Sequence, residues 1–179
     1  IFVKPGHAET ISTATTLALD VAGIAVIGLG QGSSRPTLNF TATSSNIAIS
    51  AANITVANLL LTGGVDAVVA AITVSAADVK LIDLAYRDVT GQCTDCILTT
   101  AGANRLLIDG LHYDGATAAG TNAGIALVGG DGAIIRNLYM DGNFAVGGID
   151  VRTTACTDLL VHDVKYFRTR NAADIFIID

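Results

Sequence analysis

Ile54, Val56, Leu59 and Leu61 recur as Val79, Leu81, Leu84 and Tyr86, and again as Leu106, Ile108, Leu111 and Tyr113. The same template continues in Ala133, Ile135, Leu138 and Met140, then in Leu159, Val161, Val164 and Tyr166, and it starts less completely in Ile24, Val26 and Leu29. The copies are 30, 25, 27, 27 and 26 residues apart. Self-similarity at a step of this length specifies a stack of repeats, each burying its apolar face against its neighbours, rather than a closed globule.

Within each copy the apolar residues alternate with polar or small ones, the period of a strand with one buried face; a helical stripe would need spacings of three and four. Between Val56 and Leu59, and between Leu81 and Leu84, the alternation slips by one position. The chain must bend there for both side chains to keep pointing inward. The bend holds Gly28, Asn58, Asp83, Gly110, Asn137 and Asp163, residue types that tolerate left-handed backbone, with Asx side chains expected to satisfy backbone donors of the turn.

A second short strand precedes most copies: Ile47 and Ile49, Ile72 and Val74, Ile125 and Leu127, Ile149 and Val151, and finally Ile175 and Ile177. Strand, turn, strand, bend and strand within one repeat leave no room for a helix, so neighbouring coils are expected to pair as parallel strands about 4.8 Å apart. The fold expected is all-β, a right-handed parallel β-helix of six to seven coils, a rod on the order of 30 Å long. Residues 1–179 read as one such segment. The chain opens at Ile1-Phe2-Val3 and closes at Ile175-Phe176-Ile177-Ile178-Asp179, in mid-coil; because solenoids need polar caps, a segment of a longer polypeptide is expected.

Hydrophobic residues make up 51% of the chain and charged ones only 15%. The first figure suits a narrow core of stacked aliphatic and small side chains; the second predicts a lateral wall partly covered by partner subunits. With 10 Lys and Arg against 16 Asp and Glu, a net charge of −6, no basic stripe is available for nucleic acid. No apolar run is long enough for a membrane-spanning helix.

Cys93 and Cys96 form one Cys-x-x-Cys in the loop Gly91-Gln92-Cys93-Thr94-Asp95-Cys96, and Cys156 stands alone. Neither a second cysteine pair nor a His-x-x-x-His completes a zinc site, so no metal or cofactor is expected. A local disulfide and free buried thiols both fit the pair.

Catalytic candidates are sought among stacked carboxylates. Asp114 and Asp141 are 27 residues apart, each one position after the last apolar ladder residue, which places them one coil above the other. Carboxylates about 5 Å apart suit a retaining glycosidase and wider spacing an inverting one. Both precede glycine, and Asp-Gly is first a turn signal, so no catalytic residue is assigned. Arg87, Arg168 and Arg170 lie near Tyr86 and Tyr166, where they could meet an acidic sugar. His7, His112 and His162 fall in three different registers and form no triad. The threonines Thr41, Thr43, Thr55, Thr73, Thr99, Thr100, Thr153 and Thr154 do not share one column, which argues against ice binding, and no calcium-binding nonapeptide recurs.

The opening Ile1-Phe2-Val3-Lys4-Pro5-Gly6-His7-Ala8-Glu9-Thr10-Ile11, followed by Leu19-Asp20-Val21-Ala22-Gly23-Ile24 and Ile27-Gly28-Leu29-Gly30, resembles the first coils of the pectate-lyase-like β-helices of bacteriophage virion proteins. Ser50-Ala51-Ala52-Asn53-Ile54-Thr55-Val56 and Ser75-Ala76-Ala77-Asp78-Val79 fit the same style. The resemblance is at the level of the fold and specifies no active site. It implies a homotrimeric component of the virion surface, a tail spike, fibre or capsid decoration, in contact with other virion proteins and with host surface polysaccharide. The expectation is a structural or adhesive module without enzymatic activity in this segment; the alternative is a polysaccharide depolymerase using Asp114 and Asp141.

Overall fold

The computed structural model describes residues 1–14, 16–88, 93–116, 120–152 and 154–167, and the backbone of 174–178. It is a β-solenoid of parallel strands, with a single 3-10 turn at Gly32–Ser34 and no α-helix among the described residues. Three ladders run along it. The first holds Phe2–Val3, Ala25–Gly28, Thr55–Ala57, Lys80–Ile82 and Leu107–Asp109, then the leading parts of Ile134–Asp141 and Leu160–Phe167. The second holds Ala8–Ile11, Thr37–Phe40, Leu60–Gly63, Ala85–Asp88 and His112–Asp114, then the trailing parts of the same two long strands. The third holds Leu17–Leu19, Ile47–Ile49, Ala70–Val74, Asp95–Thr99, Thr121–Leu127, Phe144–Val151 and Asp174–Ile178.

The repeat template is the register of the first two ladders. Val26, Val56, Leu81, Ile108, Ile135 and Val161 pair in succession, as do Leu61, Tyr86, Tyr113, Met140 and Tyr166. The core rings pack on one another: Tyr86 stacks on Tyr113 in the second ladder at 5.3 Å, and Tyr113 lies 5.1 Å from Phe144 of the third ladder with planes tilted by 42°. These columns form one core cluster, so removal of apolar surface from water, worth about 25 cal/mol per Å², is distributed along the whole rod.

Two expected positions shift. Leu29, the counterpart of Leu59 in the template, does not join the core and is 42% exposed; the chain bulges out of the coil between Leu29 and Pro36 through the 3-10 turn and returns to the ladder only with Thr37 opposite Leu60 and Leu38 opposite Leu61. In the last strand Phe176 pairs with Ile149 and Ile178 with Val151, one residue later than Ile175 and Ile177. An unbroken apolar run carries no alternation from which to read its parity.

The bend column is left-handed at Asn58, Asp83, Gly110, Asn137 and Asp163, with φ between 48° and 84°. Gly28 is the exception. Its φ is not positive, and the glycine is needed because a Cβ would run into the Asn58 carbonyl. The Asx side chains do not serve the backbone N–H groups of their turns as expected. Asp83 Oδ1 accepts from Arg35 at 2.8 Å, Asn58 Nδ2 donates to the Gly28 and Gly30 carbonyls, and Asp163 meets His162 at 2.7 Å.

A second left-handed column, not anticipated from the sequence, lies five residues earlier: Gly23, Asn53, Asp78, Arg105, Gly132 and Asp158. In the parallel strands the N–H groups point alternately to the two neighbouring coils; those of Lys80 and Ala85, the first residues of their strands, point back to Ile54 and Leu59. At the left-handed corners the N–H points forward to the next coil: Asn53 to Ala77, Asp78 to Asn104, Asn58 to Ile82 and Asp83 to Asp109. The corners thus add bonds from each coil to the next and keep their own N–H groups paired. Arg105 pays the steric cost of φ 54° without a glycine or Asx side chain; its guanidinium forks onto Asp78 at 2.7 and 2.6 Å.

Candidate functional site

Because inward and outward side chains alternate, the residues between the core positions of the second ladder form one outer face. One outer column reads Leu60, Ala85, His112, Tyr139 and Lys165; the next reads Thr62, Arg87, Asp114, Asp141 and Phe167. This face collects four of the chemistry-bearing residues singled out from the sequence, Arg87, His112, Asp114 and Asp141. Asp114 and Asp141 are direct register partners on adjacent coils, as their spacing predicts. Arg87 Nε lies 3.4 Å from Asp114.

The glycines after these aspartates are not turn residues in the left-handed sense. Neither Gly115 nor Gly142 has positive φ; a Cβ on either would press into the Tyr113 ring, and on Gly142 also into Phe144. Both Asp-Gly pairs therefore place an outward carboxylate beside a glycine that clears the aromatic core.

The feature the sequence reading missed is an aromatic ladder on the outside. His112 stacks on Tyr139 with centroids 4.3 Å apart and planes at 25°, and Tyr139 meets Phe167 at 4.8 Å. Two clefts flank it. One of about 500 Å³ is lined by Asn137, Leu138, Tyr139, Asp163, Val164 and Lys165. The other, of about 250 Å³, is lined by Gly32, Arg35, Leu60, Ala85, Arg87 and His112. The signal was present in the sequence: His112 and Tyr139 share a spacing of 27 residues with Asp114 and Asp141, but lie on the face that a search for core periodicity discards.

The other polar clusters are structural. Asp88 pairs with Gly63 at the position where the following coils carry Gly115 and Gly142. Its Oδ1 accepts from the Tyr86 hydroxyl at 2.9 Å and from Cys93 N–H, its Oδ2 from the Ala116 N–H and the Tyr113 hydroxyl. One carboxylate thus joins two turns and caps both buried phenols. Burial raises the Asp88 pKa, against the opposing effect of these hydrogen bonds. A carboxyl whose folded pKa lies above its unfolded value makes the fold more stable as pH falls through that folded pKa towards the unfolded one. Asp88→Asn is accordingly expected to show a flatter rise in urea midpoint than the parent between neutral and mildly acidic pH; parallel profiles for the two proteins would refute the assignment.

Cys93 and Cys96 are buried free thiols, not a disulfide. Burial pushes the Cys93 pKa up to about 12 and that of Cys96 up as well, which makes them unreactive. The Cys156 thiol, part-buried, donates to the Gly129 carbonyl at 3.3 Å. His7 precedes the strand Ala8–Ile11 and lies 3.5 Å from Glu9, His112 is in the second ladder and His162 in the first. No cluster of three or more metal-ligating side chains occurs among the described residues, and no described helix could cross a membrane. Arg168, Arg170, Thr153 and the loop residues Gly91 and Gln92 lie outside the described residues.

No family model, no characterised protein and no solved structure matches this chain.

Proposed function

We propose that this β-solenoid is a structural or adhesive module of a virion surface, without enzymatic activity in this segment, and that it holds host glycan on the outer face of its second ladder. The observation that carries the reading is the His112–Tyr139–Phe167 stack between two clefts on a regular parallel sheet. Aromatic rings carry a negative π face and an apolar body, which suits the polarised C–H face of a pyranose, while flanking Asn, Arg, Lys and Asp side chains offer hydrogen bonds to hydroxyl groups. The virion setting and a homotrimeric assembly are supported by the sequence resemblance and by the low charge of the wall.

A depolymerase remains the second reading, favoured by the direct register of Asp114 on Asp141, whose strand spacing of about 4.8 Å is nearer to that of retaining carboxylate pairs than inverting ones. A reducing-end assay on host surface polysaccharide, run beside a binding assay, separates the two. The adhesive reading predicts binding by a trimer with no release of reducing ends, unchanged by Asp114→Asn or Asp141→Asn. Release of reducing ends that either substitution abolishes would establish the depolymerase instead.

A further inference from the structure

We infer that the notch over Ala85 is a binding slot for a single ring bearing a carboxylate, of which a hexuronic acid residue of a glycan is the form that the adhesive function requires; the inference rests on that function for its biological ligand. The outer column of the second ladder runs Leu60, Ala85, His112, Tyr139, Lys165 in register, one residue per coil. From His112 onward the column is filled by a ring stacked on a ring at 4.3 Å. One coil earlier it narrows to the methyl group of Ala85, and Leu60 closes it on the far side. A ring lying over Ala85 would sit about one strand spacing, roughly 4.8 Å, from the His112 plane, and would extend the protein's own stack by one member.

The cleft there is about 250 Å³ and is lined by Gly32, Arg35, Leu60, Ala85, Arg87 and His112. No carboxylate lines it, although Asp83 and Asp114 stand behind the two arginines. Arg35 is only 19% exposed and is locked by its Nε on Asn58 Oδ1 at 2.9 Å and its Nη2 on Asp83 at 2.8 Å. Arg87 is 59% exposed and meets Asp114 through Nε at 3.4 Å. A guanidinium presents N–H groups in a planar fork that matches a carboxylate, so the lining recognises an anionic substituent on the ring and the His112 face recognises the ring itself.

The test is titration calorimetry of the full chain with three probes: a hexuronate oligosaccharide, a neutral glucose oligosaccharide of the same length, and benzoate. Ala85→Phe fills the slot from an outward position and leaves the core alone; Arg87→Gln removes the exposed fork, and its ion pair is an exposed one of small value to stability. Circular dichroism confirms that both variants fold. The expected result is binding of the hexuronate at least tenfold tighter than the neutral oligomer, with a loss of tenfold or more in each variant. Undiminished binding by Ala85→Phe overturns the slot, and equal affinity for the neutral oligomer overturns the carboxylate requirement; in both cases the adhesive face stands if Tyr139→Ala still weakens polysaccharide binding. Benzoate binding without sugar binding, lost in Ala85→Phe, keeps the slot and overturns the glycan function. Failure of all three probes, with host polysaccharide still bound, overturns the slot alone.

Discussion

Ile108→Asp is expected to abolish the folded rod. Ile108 is buried in the middle of the first ladder, in register with Leu81 on one side and Ile135 on the other. Losing the buried side chain costs about 2–5 kcal/mol through transfer and cavity, and an unpaired carboxylate in the interior adds several more. The sum rivals the roughly 5–15 kcal/mol that holds a typical domain together. Neighbouring coils would fail with it, because each stacks its own apolar column on the one before. Far-UV circular dichroism is expected to lose its β signal, whereas Ile108→Val, at about 0.5–1.5 kcal/mol, keeps it. Native dichroism in the aspartate variant would show that the column register is wrong.

Arg152→Leu is expected to destabilise the fold strongly by removing a single charge. Its guanidinium reaches across two coils to Asp95, with Nη2 to Oδ1 at 2.7 Å and Nη1 to Oδ2 at 3.3 Å, and its Nε contacts Asp150 Oδ2 at 2.6 Å. The two carboxylate side chains are only 5% and 3% exposed, and Asp150 Oδ1 has no hydrogen-bond partner among the described residues. Breaking a buried ion pair by removing one partner costs about 3–5 kcal/mol, because the remaining charge is left uncompensated. Part of Arg152 reaches solvent, which puts the expectation near the lower end, at about 3 kcal/mol. Burial already raises the Asp95 pKa even with Arg152 in place. Without the arginine the rise is larger, so the variant regains stability as pH falls towards the unfolded carboxyl value. Urea midpoints at neutral and mildly acidic pH check both points, and a variant as stable as the parent at neutral pH would mean that the triad is not what holds these coils.

The architecture was legible because a solenoid repeats its physical problem. Each coil must bury the same columns, so Val56, Leu81, Ile108 and Ile135 announce one another, and the left-handed bend selects Asn, Asp or Gly at Asn58, Asp83, Gly110 and Asn137 in turn. The second left-handed column was equally periodic at Gly23, Asn53, Asp78, Gly132 and Asp158, but Arg105 interrupts the residue type that marks it. Leu29 misled because a local insertion keeps the apolar pattern while moving the chain out of the coil. The candidate site was half legible. The stacking of Asp114 on Asp141 followed from spacing alone, whereas the outer stack of His112 and Tyr139 depends on side-chain orientation across coils, and Phe167 joins it from the neighbouring column. The triad of Asp95, Asp150 and Arg152 links two coils through a long side chain, a contact that no periodicity encodes.

The direct test of the proposed adhesive face is the affinity for host surface polysaccharide of a His112→Ala/Tyr139→Ala variant, measured beside a Leu107→Ala/Ile134→Ala variant that trims the outer face of the first ladder instead. A loss of affinity of tenfold or more, about 1.4 kcal/mol, is expected in the first variant and none in the second, with both proteins folded. Equal affinity in the first variant and the parent, or a loss confined to the second, would contradict the proposal.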